Sequence, residues 1–241
     1  MSAAEHLVRG FVDLRAFAAN TRAGNRLDEY GDTFLSARRM LSLPPGPVSV
    51  GLVDLGGRGT VSSLPADEFI LLLAGELIVS RAGETMRLAG GESALLPGAL
   101  SFEWSAASKT QAIVMRCASG GGGATAPIKI DVTAPLSPSN PPLAELLVGP
   151  APSCRNCSDY RSANGEFIVG TWDSTPYHRR AMDFRHYELM HLLEGAVTFV
   201  DGAGRAGTFV ANDIVLLEQG ARCSWESRVH VKKVYATYRP A

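Results

Sequence analysis

The chain of 241 residues is 46% hydrophobic and 20% charged, a composition typical of a globular protein with room for one large domain or two modest ones. Its formal net charge of −1 excludes the basic field that holds a phosphate backbone, so we expect no nucleic-acid partner. The first residues lack a secretory pattern and no run of about 18 uncharged apolar residues occurs, which predicts a cytoplasmic protein without a membrane partner.

In chain order, the predicted elements are mostly short strands. Helix is predicted only in part of the first 30 residues and in the segment LAELLVG, which begins at Leu143. Strands are predicted in FILLLAGELIVSRAG, TMRLAGGESALLPG, GAVTFVDGAG and GTFVANDIVLLEQG, where apolar residues recur with a period of two and Gly, Asn or Asp marks each turn. Turn signals about ten residues apart predict an antiparallel sandwich or barrel.

The sequence contains an internal repeat whose copies begin near residues 48 and 167. In both copies a glutamate precedes a hairpin glycine by seven residues, and a tryptophan follows that glycine after 29 residues in the first copy and 30 in the second. One-residue differences in loops are what a duplicated fold tolerates. The landmarks of the two copies are Glu68, Gly75 and Trp104, and Glu188, Gly195 and Trp225.

The repeat and the composition between its copies predict the domain organisation. We expect an amino-terminal domain over residues 1–119, including an amino-terminal arm, and a carboxy-terminal domain over residues 143–241. Residues 120–142 contain a glycine run followed by several prolines, which predicts an extended linker.

Several segments of the second copy resemble a known family. GEFIVGTWDSTP, ELMHLLEGAVTFVD, CSWES and VKKVY resemble the small-cupin (cupin-3-like) family of mostly unknown function, related to ureidoglycine aminohydrolase-like and ethanolamine-utilisation cupins. The first copy resembles the family more loosely. The resemblance implies an all-β bicupin, that is, two tandem cupin domains, each a double-stranded β-helix or jelly-roll barrel.

The same resemblance indicates where a cupin metal would be held. The four ligand positions fall on Met182, Phe184, Glu188 and Cys223 in the second copy and on Ser62, Leu64, Glu68 and Phe102 in the first. Most of these side chains are not metal ligands. We therefore expect no cofactor; the alternative is a divalent transition metal (Mn, Fe, Zn or Ni) held by an irregular set of His186, Glu188 and Cys223.

The stretch DFRHYELMHLLEG contains two histidines and a glutamate that could serve as catalytic groups. Strand alternation places His186 on the same face as Glu188, together with Met190, whereas His191 faces the other way. His186 and Glu188 are thus candidates for an acid–base pair, the alternative being a hydrogen-bonded pair without catalytic duty. For His191 we expect a partly exposed or locally hydrogen-bonded side chain.

The resemblance also suggests a ligand-binding cluster at the mouth of the second barrel. Its members are Trp172, Glu188, Trp225, Lys233 and Tyr235. A Lys near a Glu compensates the burial of both charges, and indoles offer flat walls to a small organic ligand. The alternative is an ion pair that serves the fold and binds no ligand.

The first copy serves as an internal comparison. It keeps Glu68 and Trp104, but Ala112 or Ile113 stands where the second copy has Lys233, and Val53 stands where it has Trp172. We therefore expect the first barrel to be more apolar and to lack the cation.

The cysteines do not form a recognisable site. Cys154 and Cys157 have C-x-x-C spacing, but a second pair for zinc and the helix of a redox motif are both missing from the pattern. We interpret them as ordinary thiols of a reduced chain.

Three functional hypotheses remain open. The first is a bicupin that binds a small polar or anionic metabolite in the carboxy-terminal barrel without the usual metal. The second is a ureidoglycine aminohydrolase-like or related cupin enzyme that uses His186 and Glu188. The third is a module whose main role is dimerisation, with sheet pairing producing a homodimer.

Overall fold

The computed structural model describes residues 7–20, 24–27 and 32–241. Within these ranges, helix is limited to α1 (Leu14–Ala19), α2 (Thr33–Ser36) and one 3₁₀ turn, Ala144–Leu146. The helix predicted in LAELLVG is therefore reduced to that single turn. The helix predicted in the first 30 residues corresponds in part to α1, and the rest of that prediction falls partly outside the described residues.

Strands make up most of the described chain. In order, they are β1 (Val12–Asp13), β2 (Asn25–Leu27), β3 (Arg38–Met40), β4 (Val48–Val61), β5 (Asp67–Ala74), β6 (Glu76–Arg81), β7 (Glu84–Ala89), β8 (Ser93–Leu96), β9 (Phe102–Cys117), β10 (Ile128–Lys129), β11 (Ser137–Ser139), β12 (Cys154–Arg161), β13 (Phe167–Ser174), β14 (Tyr177–Asp183), β15 (Tyr187–Glu194), β16 (Ala196–Val200), β17 (Ala206–Val210), β18 (Ile214–Leu217), β19 (Arg222–Ser227) and β20 (Val231–Tyr238).

The described residues form two compact units that are not continuous in sequence. The amino-terminal unit consists of the described parts of Phe17–Ile130 together with Tyr160–Ile168. The carboxy-terminal unit consists of the described parts of Met1–Ala16 together with Asp131–Asp159 and Val169–Ala241. This division differs from the predicted domains in two ways. The amino-terminal arm packs with the second barrel, because β1 pairs with β18, and residues 120–142 divide between the two units instead of forming a separate linker.

In the amino-terminal unit, strands β10-β8-β5-β9-β4-β3-β2 form one sheet, and β6 and β7 branch from β9. The long strands β4 and β9 are antiparallel over almost their whole length. The first part of β9 pairs with β6 and its last part pairs with β5, so β9 contributes to both layers of the barrel. Strand β8 is buried at every position, as expected for an apolar run covered on both faces.

In the carboxy-terminal unit, the strand order is β1-β18-β15-β20-β13-β12-β11 in one sheet and β14-β19-β16-β17 in the other. The order β18-β15-β20-β13-β12 repeats the order β8-β5-β9-β4-β3 of the first unit. Apolar side chains from both sheets fill the space between them, including Met190, Phe199, Val215 and Trp225. This core determines which side chains of β14, β15 and β20 face inward.

The two hairpin glycines of the repeat are required by their geometry. Gly75 and Gly195 both have φ +81°, a left-handed conformation that glycine adopts readily. A Cβ atom would lie 2.4 Å from Thr110 Oγ1 at the first position and 2.0 Å from the His230 carbonyl oxygen at the second. The close backbone approach after β5 and β15 therefore leaves no room for a side chain.

The helices of the described part of the chain give no candidate for a membrane span, since none combines sufficient length with an apolar sequence.

Candidate functional site

Lys233 and Glu188 form an ion pair inside the carboxy-terminal barrel. Lys233 Nζ lies 2.8 Å from Glu188 Oε1, and the two side chains are 8% and 15% exposed. Burial alone would raise the pKa of the Glu188 carboxyl, but the Lys233 ammonium and the His186 ring outweigh that effect and hold the pKa well below its usual range. Glu188 is therefore a carboxylate at neutral pH.

His186 connects this ion pair to the barrel surface. Its Nε2 lies 3.4 Å from Glu188 Oε2, and its Nδ1 lies 3.3 Å from Arg239 Nη2. Because a guanidinium can only donate, Nδ1 accepts from Arg239, which places a ring proton on Nε2, toward the carboxylate. The predicted alternation is confirmed: His186 contacts Glu188, and Met190 lies in the barrel core on the same side.

Aromatic rings surround the Lys233 ammonium. Nζ lies 4.8 Å from the ring centroid of Trp172 and 5.1 Å from that of Trp225, and the two indoles meet edge to face. The structure thus brings together four of the five residues predicted for the ligand-binding cluster. The fifth, Tyr235, has its hydroxyl 3.1 Å from Ser158 Oγ, away from the ion pair.

Sequence reasoning missed two residues of this interior, Arg179 and Tyr177. Arg179 is only 4% exposed, its guanidinium lies 5.3 Å from the Phe184 ring centroid, and Tyr177 stacks on Trp225 with centroids 5.5 Å apart. The register of β14 shifts between Arg179 and Met182. As a result Arg179 stands opposite Trp225 and Met182 stands opposite Cys223, two inward-facing residues of β19. Alternation in the sequence puts Tyr177 and Arg179 on one face of β14, but it does not show that this face is the inner one.

The residues at the cupin metal positions do not fit a divalent transition metal. Met182 and Phe184 pack with the apolar core, and Glu188 is already engaged by Lys233 and His186. Burial raises the pKa of the Cys223 thiol to about 12, so Cys223 is a neutral thiol in this structure. Within the described ranges no three His, Cys, Asp or Glu side chains converge on a common point.

A cleft of about 1140 Å³ opens at the end of the barrel where β15 begins and β18 ends; we call it the mouth cleft. Met182, Phe184 and His186 belong to its lining, whereas Glu188, Lys233 and Arg179 do not. Pro141 and Leu143 add apolar surface, and Arg185 and Arg239 add positive charge. Of the predicted site residues, only His186 lines this cleft.

Comparison with known proteins agrees with this architecture. Residues 161–235 match the family model of the EutQ-like cupin domain. The crystal structure of a DUF861-family protein of unknown function from Pseudomonas syringae pv. tomato has a TM-score of 0.84 at 28% identity, over 90% of this chain and 93% of that one. The protein has the cupin fold. The resemblance to small cupins and the all-β fold class are both confirmed.

More distant cupin structures share the fold alone. A cupin 2 conserved barrel domain protein from Leptotrichia buccalis has a TM-score of 0.61 at 9% identity, over 98% of this chain and 99% of that one. The DUF861-family protein Ylba from E. coli has a TM-score of 0.57 at 11% identity, over 99% of this chain and 96% of that one. No curated protein sequence matches the chain.

The first cupin barrel contradicts the expectation that it lacks a cation. Register confirms that Ala112 takes the place of Lys233, since Ala112 is opposite Leu72 and Lys233 is opposite Leu192. The cation comes from elsewhere: Arg38 on β3 contacts both oxygens of Glu68, at 2.6 and 2.8 Å. Sequence comparison missed it because β3 precedes the detected repeat.

The rest of the first cupin barrel also differs from the second. Arg116 adds a second cation, with its Nε 3.0 Å from Glu68 Oε2. Trp104 turns away from Glu68 and donates its indole N–H to Asp32 Oδ1 at 3.1 Å. Glu68 and Trp104 therefore do not form a counterpart of the Lys233 cluster, because arginines enclose the carboxylate completely.

The expectation for His191 is wrong. The side chain is 2% exposed, and neither ring nitrogen has a hydrogen-bond partner in the described part of the chain. Burial, with a smaller contribution from Arg15, lowers the pKa of His191 to about 4. The outward face of β15 is covered rather than solvated, so the ring is neutral.

The four cysteines are free thiols. Burial raises the pKa of Cys154, which makes its thiol less reactive than an exposed one. This agrees with the interpretation of Cys154 and Cys157 as ordinary thiols.

Proposed function

We propose that this cupin binds a small organic anion in the mouth cleft, without a metal. The observation that supports the proposal is the positive charge of two arginines in the cleft lining. Arg185 and Arg239 have no acidic partner in the described part of the chain, and the one acidic side chain of the lining, Asp183, pairs with Arg222 at 3.2 Å. A carboxylate placed between the two guanidinium groups would gain charge-assisted hydrogen bonds.

The other walls of the mouth cleft suit the body of such a ligand. Leu143 is 64% exposed and Pro141 lies beside it, whereas Phe184 forms part of the floor. Apolar walls with a few convergent polar groups are typical of small-molecule sites. Below the floor, Glu188 and Lys233 hold His186 in a fixed orientation and tautomer, so they act as positioning residues.

Benzoate and benzamide provide a direct test, because they share a shape and differ in charge. We expect benzoate, and not benzamide, to show saturable binding by calorimetry. Arg239→Gln should weaken benzoate binding at least tenfold, since it removes a charged partner. Arg228→Gln is the matched control, because Arg228 is 87% exposed, pairs with Glu226, and is absent from the cleft lining. Equal binding of the two probes, or equal effects of the two variants, would refute the proposal.

A second candidate, acid–base catalysis, is favoured by one observation. The carboxylate of Glu188 orients His186 from below and Nδ1 faces the cleft, where it would act as a general base once a bound anion drew Arg239 away from it. Incubation of the natural ligand, followed by NMR, separates the two functions. Conversion by the wild type and not by His186→Gln supports catalysis, whereas recovery of unchanged ligand supports binding alone.

We also propose a cytoplasmic location and a homodimer. Four free thiols suit a reduced, cytoplasmic compartment. A homodimer formed by sheet pairing would use edges other than those of β8 and β18, since β10 and β1 cover them. Sedimentation analysis of the whole protein would decide between monomer and dimer.

A further inference from the structure

Arg179 is a buried cation without a matching anion. Its side chain is 96% shielded, and its one hydrogen bond in the described part of the chain runs from Nη1 to the Arg180 carbonyl oxygen at 3.4 Å. Burial lowers the pKa of Arg179, but a guanidinium remains charged at neutral pH. An unpaired buried charge is costly, so this position calls for an explanation.

The neighbouring charges do not neutralise it. Glu188 is the carboxylate that acts on Arg179, but Glu188 already forms its contact with Lys233 at 2.8 Å and lies 3.4 Å from His186. Around Glu188 there are therefore two cations, Lys233 and Arg179, for one carboxylate. In the amino-terminal unit the balance is also two to one, but there Arg38 and Arg116 both bond directly to Glu68. Arg179 makes no such bond.

The surroundings of Arg179 fit a compact planar anion. The Phe184 ring lies 5.3 Å from the guanidinium carbon, and Cys223 is a buried neutral thiol nearby. Solvent reaches this region, since the neighbouring Glu188 side chain is 15% exposed. A guanidinium presents parallel N–H donors that match the two oxygens of a carboxylate.

We infer that Arg179 anchors a second anion site, inside the carboxy-terminal barrel, that takes one small carboxylate of formate or acetate size. The site is distinct from the mouth cleft, because Arg179 does not belong to the cleft lining and Phe184 stands between them. It goes beyond the proposed function, since its ligand would balance the interior charge whether or not the cleft is occupied.

Thermal unfolding of the full chain in sodium acetate, sodium chloride and acetamide tests this site. At constant ionic strength, we expect acetate to raise the unfolding midpoint in a saturable way, and chloride and acetamide to have no such effect. Arg179→Met should weaken the acetate effect at least tenfold. Arg180→Met is the matched control, because Arg180 is the next residue of β14 and is exposed.

The outcomes also separate the two anion sites. An acetate effect that Arg179→Met removes and Arg239→Gln preserves supports the interior site. An effect that only Arg239→Gln removes belongs to the mouth cleft and overturns the inference, as does an equal effect of acetate and chloride. If Arg179→Met does not fold, the comparison of acetate with acetamide is made on the wild type and on Arg239→Gln. An acetate effect that both proteins show supports the interior site, and one that Arg239→Gln lacks overturns it.

Discussion

The ammonium of Lys233 lies between the Glu188 carboxylate and two indole rings, so one cation neutralises a buried acid and occupies the aromatic faces of Trp172 and Trp225. This relationship identifies the ion pair as a structural element of the barrel.

Lys233→Met is expected to destabilise the fold strongly. It leaves the Glu188 carboxylate buried without its cation, and removal of one partner of a buried ion pair costs about 3–5 kcal/mol. Urea unfolding of the wild type, Lys233→Met, Glu188→Gln and the double variant gives the coupling energy. We expect the double variant to recover most of the loss. Additive effects of the two single variants would show that the pair contributes little.

His191 should make the stability pH-dependent. Its folded pKa of about 4 lies below the ordinary value near 6.5, so between these values the unfolded chain binds the extra proton and stability rises with pH. The contribution is complete above pH 6.5 and falls as the pH approaches 4, by on the order of 3 kcal/mol at about 1.4 kcal/mol per pKa unit. Unfolding of His191→Leu from pH 7.5 to 4.5 should show a flatter profile than wild type. Parallel profiles would contradict this assignment.

Arg38→Met should destabilise the amino-terminal unit more than Arg116→Met. Arg38 makes two bonds to Glu68 and its Nε donates to the Phe34 carbonyl oxygen at 3.0 Å, whereas the Arg116 side chain is 13% exposed. The loss for Arg38→Met is expected to be about 3–5 kcal/mol. Thermal or urea unfolding followed by tryptophan fluorescence measures it, because Trp104 lies in this unit. A larger loss for Arg116→Met would show that the less buried arginine is the main partner.

Added Zn²⁺, Mn²⁺ or Ni²⁺ should not bind through Glu188. The carboxylate is engaged by Lys233, and the Cys223 thiol is protonated at neutral pH. After chelator treatment and dialysis against each metal, elemental analysis should give the same content for the wild type and Glu188→Gln. One metal per chain in the wild type, lost in the variant, would overturn this conclusion.

Much of the fold could be predicted from the sequence, because period-two patterning and turn glycines are local signals. Gly75 and Gly195 stand at positions where a side chain cannot fit, so their spacing reports the hairpin directly. Register likewise confirms the alignment of Ala112 with Lys233. The hairpin positions can be recognised because the turn glycines and the alternating residues beside them are adjacent in the sequence.

The candidate site was less predictable because its groups come from outside the repeat or from irregular backbone. Arg38 reaches Glu68 from a strand that precedes the repeat, and the register shift in β14 brings Arg179 and Met182 to inward-facing positions. The covered environment of His191 depends on packing that alternation does not specify. The prediction of the site is therefore limited by contacts between residues far apart in the chain, which the residue types alone do not reveal.

Strand β1 also affects how the protein is made. Asp13 pairs with Val215, so about 200 residues must be synthesised before the arm finds its partner. At roughly 5–20 residues per second, the arm waits on the order of 10–40 s on the ribosome. Until then Phe11 lacks Phe199 and Phe209, the two rings against which it packs in the finished protein. The carboxy-terminal barrel is thus completed by a segment made about 200 residues before its partner, and a fragment without that segment would expose the edge of β18 to aggregation.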